Sequence, residues 1–192
     1  MLDDLQVTVL AKEPTLTNWV WTAGFVDGEG CIAVVRSFVP KRDRYVYGVQ
    51  VVATNRDREV LDWMRTTWGG WVVPSSAPTG RARVSWNWRA PTGISAQPFL
   101  TGIRPWLRLK GPQCGNALAM IEVLRRSRRT LGREFLPQAW LDEQEKLYWI
   151  QRQLNHRGSD EFVARPMHSP RKINRERAKS ATVEVDRDNV AG

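Results

Sequence analysis

Apolar positions along the chain change period several times, and each change marks an element. From Asn18 through Trp19, Val20, Trp21, Ala23, Phe25 and Val26 they follow helical spacing, with Thr17 as the expected N-cap and DGEG at 27–30 as the stop. CIAVVRSFV is β-branched and apolar and predicts a strand. PKRDR predicts a charged turn and YVYGVQVVAT a second strand, so the two form a hairpin. Thr54 or Asn55 is placed to cap a helix whose apolar positions are Val60, Leu61, Met64 and Trp68. Asp57 and Glu59 in its first turn favour the helix dipole. GGWVV predicts a third strand, 74–80 a turn, and RARVSWNWR a fourth strand with the clearest alternation in the chain. Arg81, Arg83, Ser85, Asn87 and Arg89 point one way; Ala82, Val84, Trp86 and Trp88 point the other. Three helical stretches follow, over 95–106, 113–126 and 137–154. The order is α-ββ-α-ββ-α-α-α, an α+β chain without an internal repeat. Periodicity then fades, so 1–15 reads as a leader, 16–158 as the folded domain and 159–192 as a basic, mixed-charge flexible tail.

Composition narrows the function classes. With 192 residues, 42% of them hydrophobic, the chain can build one real core. No apolar run is long enough to span a bilayer, and MLDDLQVTVLAKEP has neither the basic start nor the apolar block of a signal peptide. Cys31 and Cys114 are too few for a disulfide framework or a zinc site, which fits a reducing cytoplasm. The net charge of +9 points to a polyanionic partner, nucleic acid before membrane. The tail holds seven Lys/Arg against six Asp/Glu from residue 158 on, so nearly all the excess charge belongs to the folded part. Arg dominates the basic residues, and its forked guanidinium suits phosphate. Codon bias explains that richness equally well: Arg, Gly, Ala, Val and Trp together point to a GC-rich genome, a bacterium or its phage.

The stretch WTAGFVDGEG carries the chemistry. On its own, Asp-Gly-x-Gly after a helix is an ordinary stop signal, because Gly tolerates positive φ. An EF-hand loop is excluded by the spacing of its oxygen ligands. Three features point beyond a turn. Gly24 sits inside a helix, where Gly costs about 1 kcal/mol relative to Ala, and with Ala23 it forms a small-residue patch that admits close approach by another helix. The helix end delivers Asp27 and Glu29 beside two glycines. A strongly basic hairpin sheet follows directly.

In register over Ala23, Gly24, Phe25, Val26, Asp27, Gly28, Glu29 and Gly30, this stretch resembles the LAGLIDADG motif of homing endonucleases. ATNRDREVLDWM is similar to the family's segment after its second strand, IRPWLRLKGPQ to the segment carrying its active-site lysine, and LDEQEKLYWIQRQLNHRG to its closing helix. The likeness covers residues 16 to 158. It implies the family's α-ββ-α-ββ-α fold with extra C-terminal helices and an antiparallel four-stranded DNA-binding sheet.

The resemblance also implies roles. Glu29 is the metal-binding acid at the helix foot, and Gly28 offers it a backbone carbonyl. Asp27 braces the helix end. Asn55 stands where the family orients its water network, although its short side chain leaves an N-cap role equally open. Lys110 is the active-site lysine and Gln113 lies just behind it. The implied cofactor is Mg2+ (or Mn2+), whose hard-ion chemistry suits carboxylate and carbonyl oxygens, with no small-molecule cofactor. The implied partner is double-stranded DNA, cut across the minor groove. Arg81, Arg83, Ser85, Asn87 and Arg89 form the groove-facing row, joined on the first hairpin by Ser37 and Gln50. Ala33, Val35 and Ser37 are a poor hydrogen-bonding set for that face. Trp86 and Trp88 read as core, while Tyr45 and Tyr47 fit either side.

One motif supplies one acid, and cutting both strands needs two. A homodimer meeting through Trp21, Ala23, Gly24 and Asp27 would bring two Glu29 groups together over a roughly palindromic site. The rival expectations are an RNA maturase or a non-cleaving DNA-binding protein of the same fold, and a basic adaptor in which DGEG is only a turn.

Overall fold

The computed structural model describes residues 13–42, 44–75, 84–129 and 136–156. Helix α1 (Leu16–Glu29) starts at Thr15, not at Thr17: Thr15 Oγ1 accepts from the Asn18 N–H, and Asn18 Oδ1 accepts from the Thr15 N–H at 2.8 Å. This reciprocal capping box fixes the first turn. The helix does not stop at DGEG. It runs through Asp27, Gly28 and Glu29 and passes directly into strand β1 (Gly30–Val39). Gly30 is required there by contact, since a Cβ would lie 2.6 Å from the Val26 carbonyl oxygen.

A short 3-10 turn at Pro40–Arg42 leads into β2 (Arg44–Asn55), which pairs antiparallel with β1 from Gly30↔Ala53 to Val39↔Arg44. The next helix, α2 (Arg58–Trp68), is capped by Asp57, whose carboxylate accepts from the Glu59 N–H at 2.9 Å. Neither Thr54 nor Asn55 is the cap. Gly69 and Gly70, at φ 75° and 83°, turn the chain into β3 (Trp71–Pro74). A Cβ at Gly70 would strike the Arg89 carbonyl, so only glycine passes here. Strand β4 (Trp86–Arg89) is shorter than its sequence alternation; Arg81 and Arg83 lie outside the described residues. The sheet order is β1-β2-β4-β3, all neighbours antiparallel.

The first of the three expected C-terminal stretches divides into a 3-10 turn, α3 (Gln97–Ile103) and a second 3-10 turn at Arg104–Trp106, where Pro105 ends regular helix. The others are α4 (Gly111–Arg129) and α5 (Gln138–Leu154). Helices cover one face of the sheet, where Ile32, Val34, Val49, Val51, Ala53 and Trp88 meet Ala23, Val26, Leu100, Ile103, Ala117 and Ile121, all buried. The Trp88 indole donates to the Gly69 carbonyl at 2.9 Å, satisfying its buried N–H. Among the described residues, no helix is long and apolar enough to cross a membrane.

Helix α5 is stitched to the edge strand. Gln151 and Asn155 side-chain amides both donate to the Ile32 carbonyl, at 2.7 and 2.9 Å. Farther along, Arg36 on the inward side of β1 pairs with Glu145 at 2.9 Å and lies over the rings of Tyr45 and Tyr148, at 4.3 and 4.6 Å. Glu145 also accepts from Tyr47 and from the Trp149 indole. Tyr45 and Tyr47 therefore face the helices and do not belong to the open face.

Candidate functional site

The helical extension of α1 places Glu29 in its last turn, exposed. The final carbonyls of a helix have no partner within it and carry the negative end of its dipole. A cation is therefore favoured at this foot, and α1 has no basic residue in its own last turn. Positive charge arrives from another segment. The Lys110 ammonium donates to the Asp27 carbonyl, and the lysine is 8% exposed.

The same segment is locked by Asp27. One carboxylate oxygen accepts from the Arg108 N–H at 2.6 Å and the Leu109 N–H at 3.2 Å; the other accepts from the Lys110 N–H at 2.9 Å. An ionised carboxylate holding three backbone donors is a strong local restraint. Asp27 thus fixes the loop that brings Lys110 to within two residues of Glu29.

Glu29, Thr54, Asn55, Arg56 and Ser85 line one open depression. The Asn55 side-chain Oδ1 accepts from the Asp57 N–H at 2.9 Å, an Asx turn that holds the side chain at the rim. Arg56 was not singled out in the sequence, because nothing in its spacing separates it from the other surface arginines. Gln113 is elsewhere: its amide donates to the Leu154 carbonyl at 2.9 Å, tying α4 to the end of α5, and its buried Oε1 has no hydrogen-bond partner.

Among the described residues, no three His, Cys, Asp or Glu side chains come together as a metal-ligand group. The foot of α1 offers one exposed carboxylate, Glu29, with the helix-end carbonyl of Gly28 beside it in the chain. These hard oxygen donors fit Mg2+ or Mn2+ in kind, and they need further oxygens from outside the chain in number.

On α1, periodicity divides the small residues. Ala23 is fully buried against its own core, so it is not part of an exposed patch. Gly24 and Gly28 are open: a Cβ at either meets nothing within 4 Å. Beside them Leu16, Val20 and Trp21 are 62%, 47% and 44% exposed. Trp21 stacks on Phe25 at 5.1 Å and meets Trp63 of α2 edge-on at 4.8 Å.

The uncovered face of the sheet carries Cys31, Ala33, Val35 and Ser37 on β1, Val46, Gly48, Gln50, Val52 and Thr54 on β2, and Ser85, Asn87 and Arg89 on or beside β4. Thr54 donates to Asn87 Oδ1 at 2.7 Å, and Arg89 Nε is buried without a partner. Trp88 is in the core, whereas Trp86 is half-buried beneath the Arg58 guanidinium at 4.6 Å.

No family model and no curated protein matches the chain. Solved structures do. The homing endonuclease I-CvuI, in complex with a DNA target, superposes with a TM-score of 0.59 at 20% identity, covering 77% of this chain and 87% of that one. The archaeal intron-encoded homing endonuclease I-Vdi141I, complexed with DNA, gives 0.60 at 15% identity, covering 77% and 89%. I-SmaMI, bound to uncleaved DNA in the presence of calcium ions, gives 0.54 at 17% identity, with 70% of this chain covering 44% of that one. Matching α1, the four-stranded antiparallel sheet and the helices behind it, the chain has the LAGLIDADG homing endonuclease fold.

Proposed function

We propose that residues 16–158 form one half of a metal-dependent, site-specific DNA endonuclease that works as a homodimer and cuts both strands of a pseudo-palindromic duplex. The observation that carries this reading is the foot of α1. An exposed Glu29 stands two residues from a carbonyl that receives the Lys110 ammonium, on a loop clamped by Asp27. A structural turn needs no such arrangement. The chain matches nearly all of I-CvuI and less than half of I-SmaMI, which favours a single-copy unit that must pair.

In this reading two α1 helices meet along Val20, Trp21, Gly24 and Gly28, and both Glu29 groups converge on shared Mg2+ or Mn2+. When bound, the cation supplies an activated water and charge neutralisation at the leaving oxygen. Glu29 holds it with its carboxylate, and the Gly28 carbonyl is available beside it. Lys110 places a fixed positive charge near the scissile phosphate, where it stabilises charge that develops in the transition state. Asn55, Arg56 and Ser85 line the approach. Asn87 and Arg89 on β4, with Ser85 beside them, read the major groove. The C-terminal tail adds phosphate contacts without sequence preference.

The test is a randomised plasmid library incubated with the full chain, with and without Mg2+. Double-strand cuts at enriched sites, lost on removing Mg2+ and in Glu29→Gln while that variant still binds the sites, support the proposal. Metal-independent DNA binding with no cut assigns the chain to the non-cleaving class. Preferential binding of structured RNA assigns it to the maturase class.

A further inference from the structure

The uncovered face of the sheet is divided by chemistry. Near the foot of α1 this face gathers hydrogen-bonding side chains, Thr54, Ser85, Asn87 and Arg89, beside Cys31 and Val52. Toward the far end of the β1–β2 hairpin they become apolar. Cross-strand partners Ala33↔Gln50, Val35↔Gly48 and Ser37↔Val46 leave Gln50 and Ser37 as the polar members among Ala33, Val35, Val46 and Gly48. Val35 is 39% exposed, and a Cβ at Gly48 would sit 3.5 Å from its Cγ2, so the valine leans over the glycine and nothing larger screens it.

Basic residues bracket this strip. Lys41 is exposed in the turn beyond it, Arg44 opens β2 with Nε buried and unpartnered, and Arg89 stands at the other end. Phosphate contacts from such flanks set position, while the groups between them meet base edges. In the major groove, apolar side chains have a base-specific feature to contact, the 5-methyl group of thymine. Alternate strand residues lie roughly 6.6 Å apart, about two base steps of duplex DNA. Ala33, Val35 and Ser37 together therefore span about four base pairs.

We infer that the outer part of the β1–β2 hairpin reads thymine methyl groups, so that each half-site carries a T-rich block of about four base pairs distal to the cut. The inference rests on the DNA-binding reading above and specifies the substrate of the same face. It accounts for an exposed run whose hydrogen-bonding capacity is too poor to discriminate bases by donors and acceptors.

The experiment selects duplexes from a randomised pool with full-length Glu29→Gln protein, chosen so that bound duplexes are recovered uncut. The affinity of the selected duplex is then compared with that of the same duplex carrying uracil for thymine at the outer positions. The expected result is a loss of about fourfold per methyl, the equivalent of one buried methyl-sized group. Val35→Ala should shrink that discrimination while leaving base preferences opposite Asn87 and Arg89 unchanged. Equal affinity for thymine and uracil duplexes, with selection of a defined site, overturns the methyl-reading inference and leaves DNA recognition standing. Selection of no sequence at all overturns the DNA-binding reading, and the inference with it.

Discussion

Asp27 and Lys110 hold each other in two directions: the Asp27 carboxylate accepts the Lys110 backbone N–H, and the Lys110 ammonium donates to the Asp27 carbonyl. The pair joins the last turn of the first helix to a loop more than eighty residues later. Asp27→Asn keeps the shape but removes the charge that binds three amides. The expected cost is about 1.5–3 kcal/mol, the range for hydrogen bonds to charged groups, read as a lower denaturation midpoint. Nuclease activity should fall further than stability accounts for, because the loop that presents Lys110 loosens. An unchanged midpoint would show that the clamp holds nothing.

Gly24 separates folding from assembly. Its missing side chain faces open space, so Gly24→Leu should raise the stability of the isolated protomer by roughly 0.8 kcal/mol through helix propensity. The same substitution keeps two α1 helices from close approach. Sedimentation should find monomers, and double-strand scission should disappear. A dimer that survives Gly24→Leu places the contact on another surface.

Glu145 accepts from Arg36, Tyr47 and Trp149, with its side chain 11% exposed and that of Arg36 20% exposed. Glu145→Leu leaves a guanidinium enclosed by aromatic rings without its counter-charge. Breaking such a pair costs on the order of 3 kcal/mol. Arg36→Met combined with Glu145→Leu should recover most of that loss, because the cost lies in the orphaned charge. Chemical denaturation of the single and double variants measures both terms.

The two cysteines should react at different rates. Cys31 is exposed on the open face, whereas burial pushes the Cys114 thiol from 9.0 up to about 11, partly opposed by the Arg104 charge. At pH 8.5 iodoacetamide should label one thiol quickly in the native protein and the second only on unfolding. Cys114 binds its proton more tightly folded than unfolded. Its contribution to stability is therefore complete below pH 9 and declines as pH rises toward 11. A stability profile flat across that window contradicts the assignment.

Much of the fold was legible because both of its periods were strong. The β1–β2 hairpin, α2 and the C-terminal helices follow alternation or helical spacing closely. The misplacements have local causes. DGEG looked like a stop because glycines commonly end helices. Here Gly28 stays helical, and the break falls at Gly30, where Val26 leaves no room for a side chain. Thr15 outcompetes Thr17 as cap because Asn18 can answer it from the third helical position. Asp57 takes the cap from Asn55 because its carboxylate reaches the Glu59 N–H, while the Asn55 side chain is engaged one step earlier with the Asp57 N–H.

The site was legible only in part. Glu29, Asn55 and Ser85 do share a depression, but the loop amides gathered by Asp27 belong to a segment far along the chain, and no local pattern announces them. Ala23 was readable in principle, since helical spacing places it with Trp19 and Val26 against the core. Arg36 was readable too: a charge among Ile32, Val34 and Phe38 on the inward side of a strand demands a buried partner.

The passage from α1 into β1 takes no linker. Glu29 is the last helical residue, Gly30 the first of the strand, and Cys31 already belongs to the open face. Glu29 and the first position of the open face are therefore separated by one residue, with no hinge between them. In the proposed endonuclease, exchanging side chains on the hairpin would retarget the protein while the offset between scission and recognition stays constant, as if engraved on a ruler.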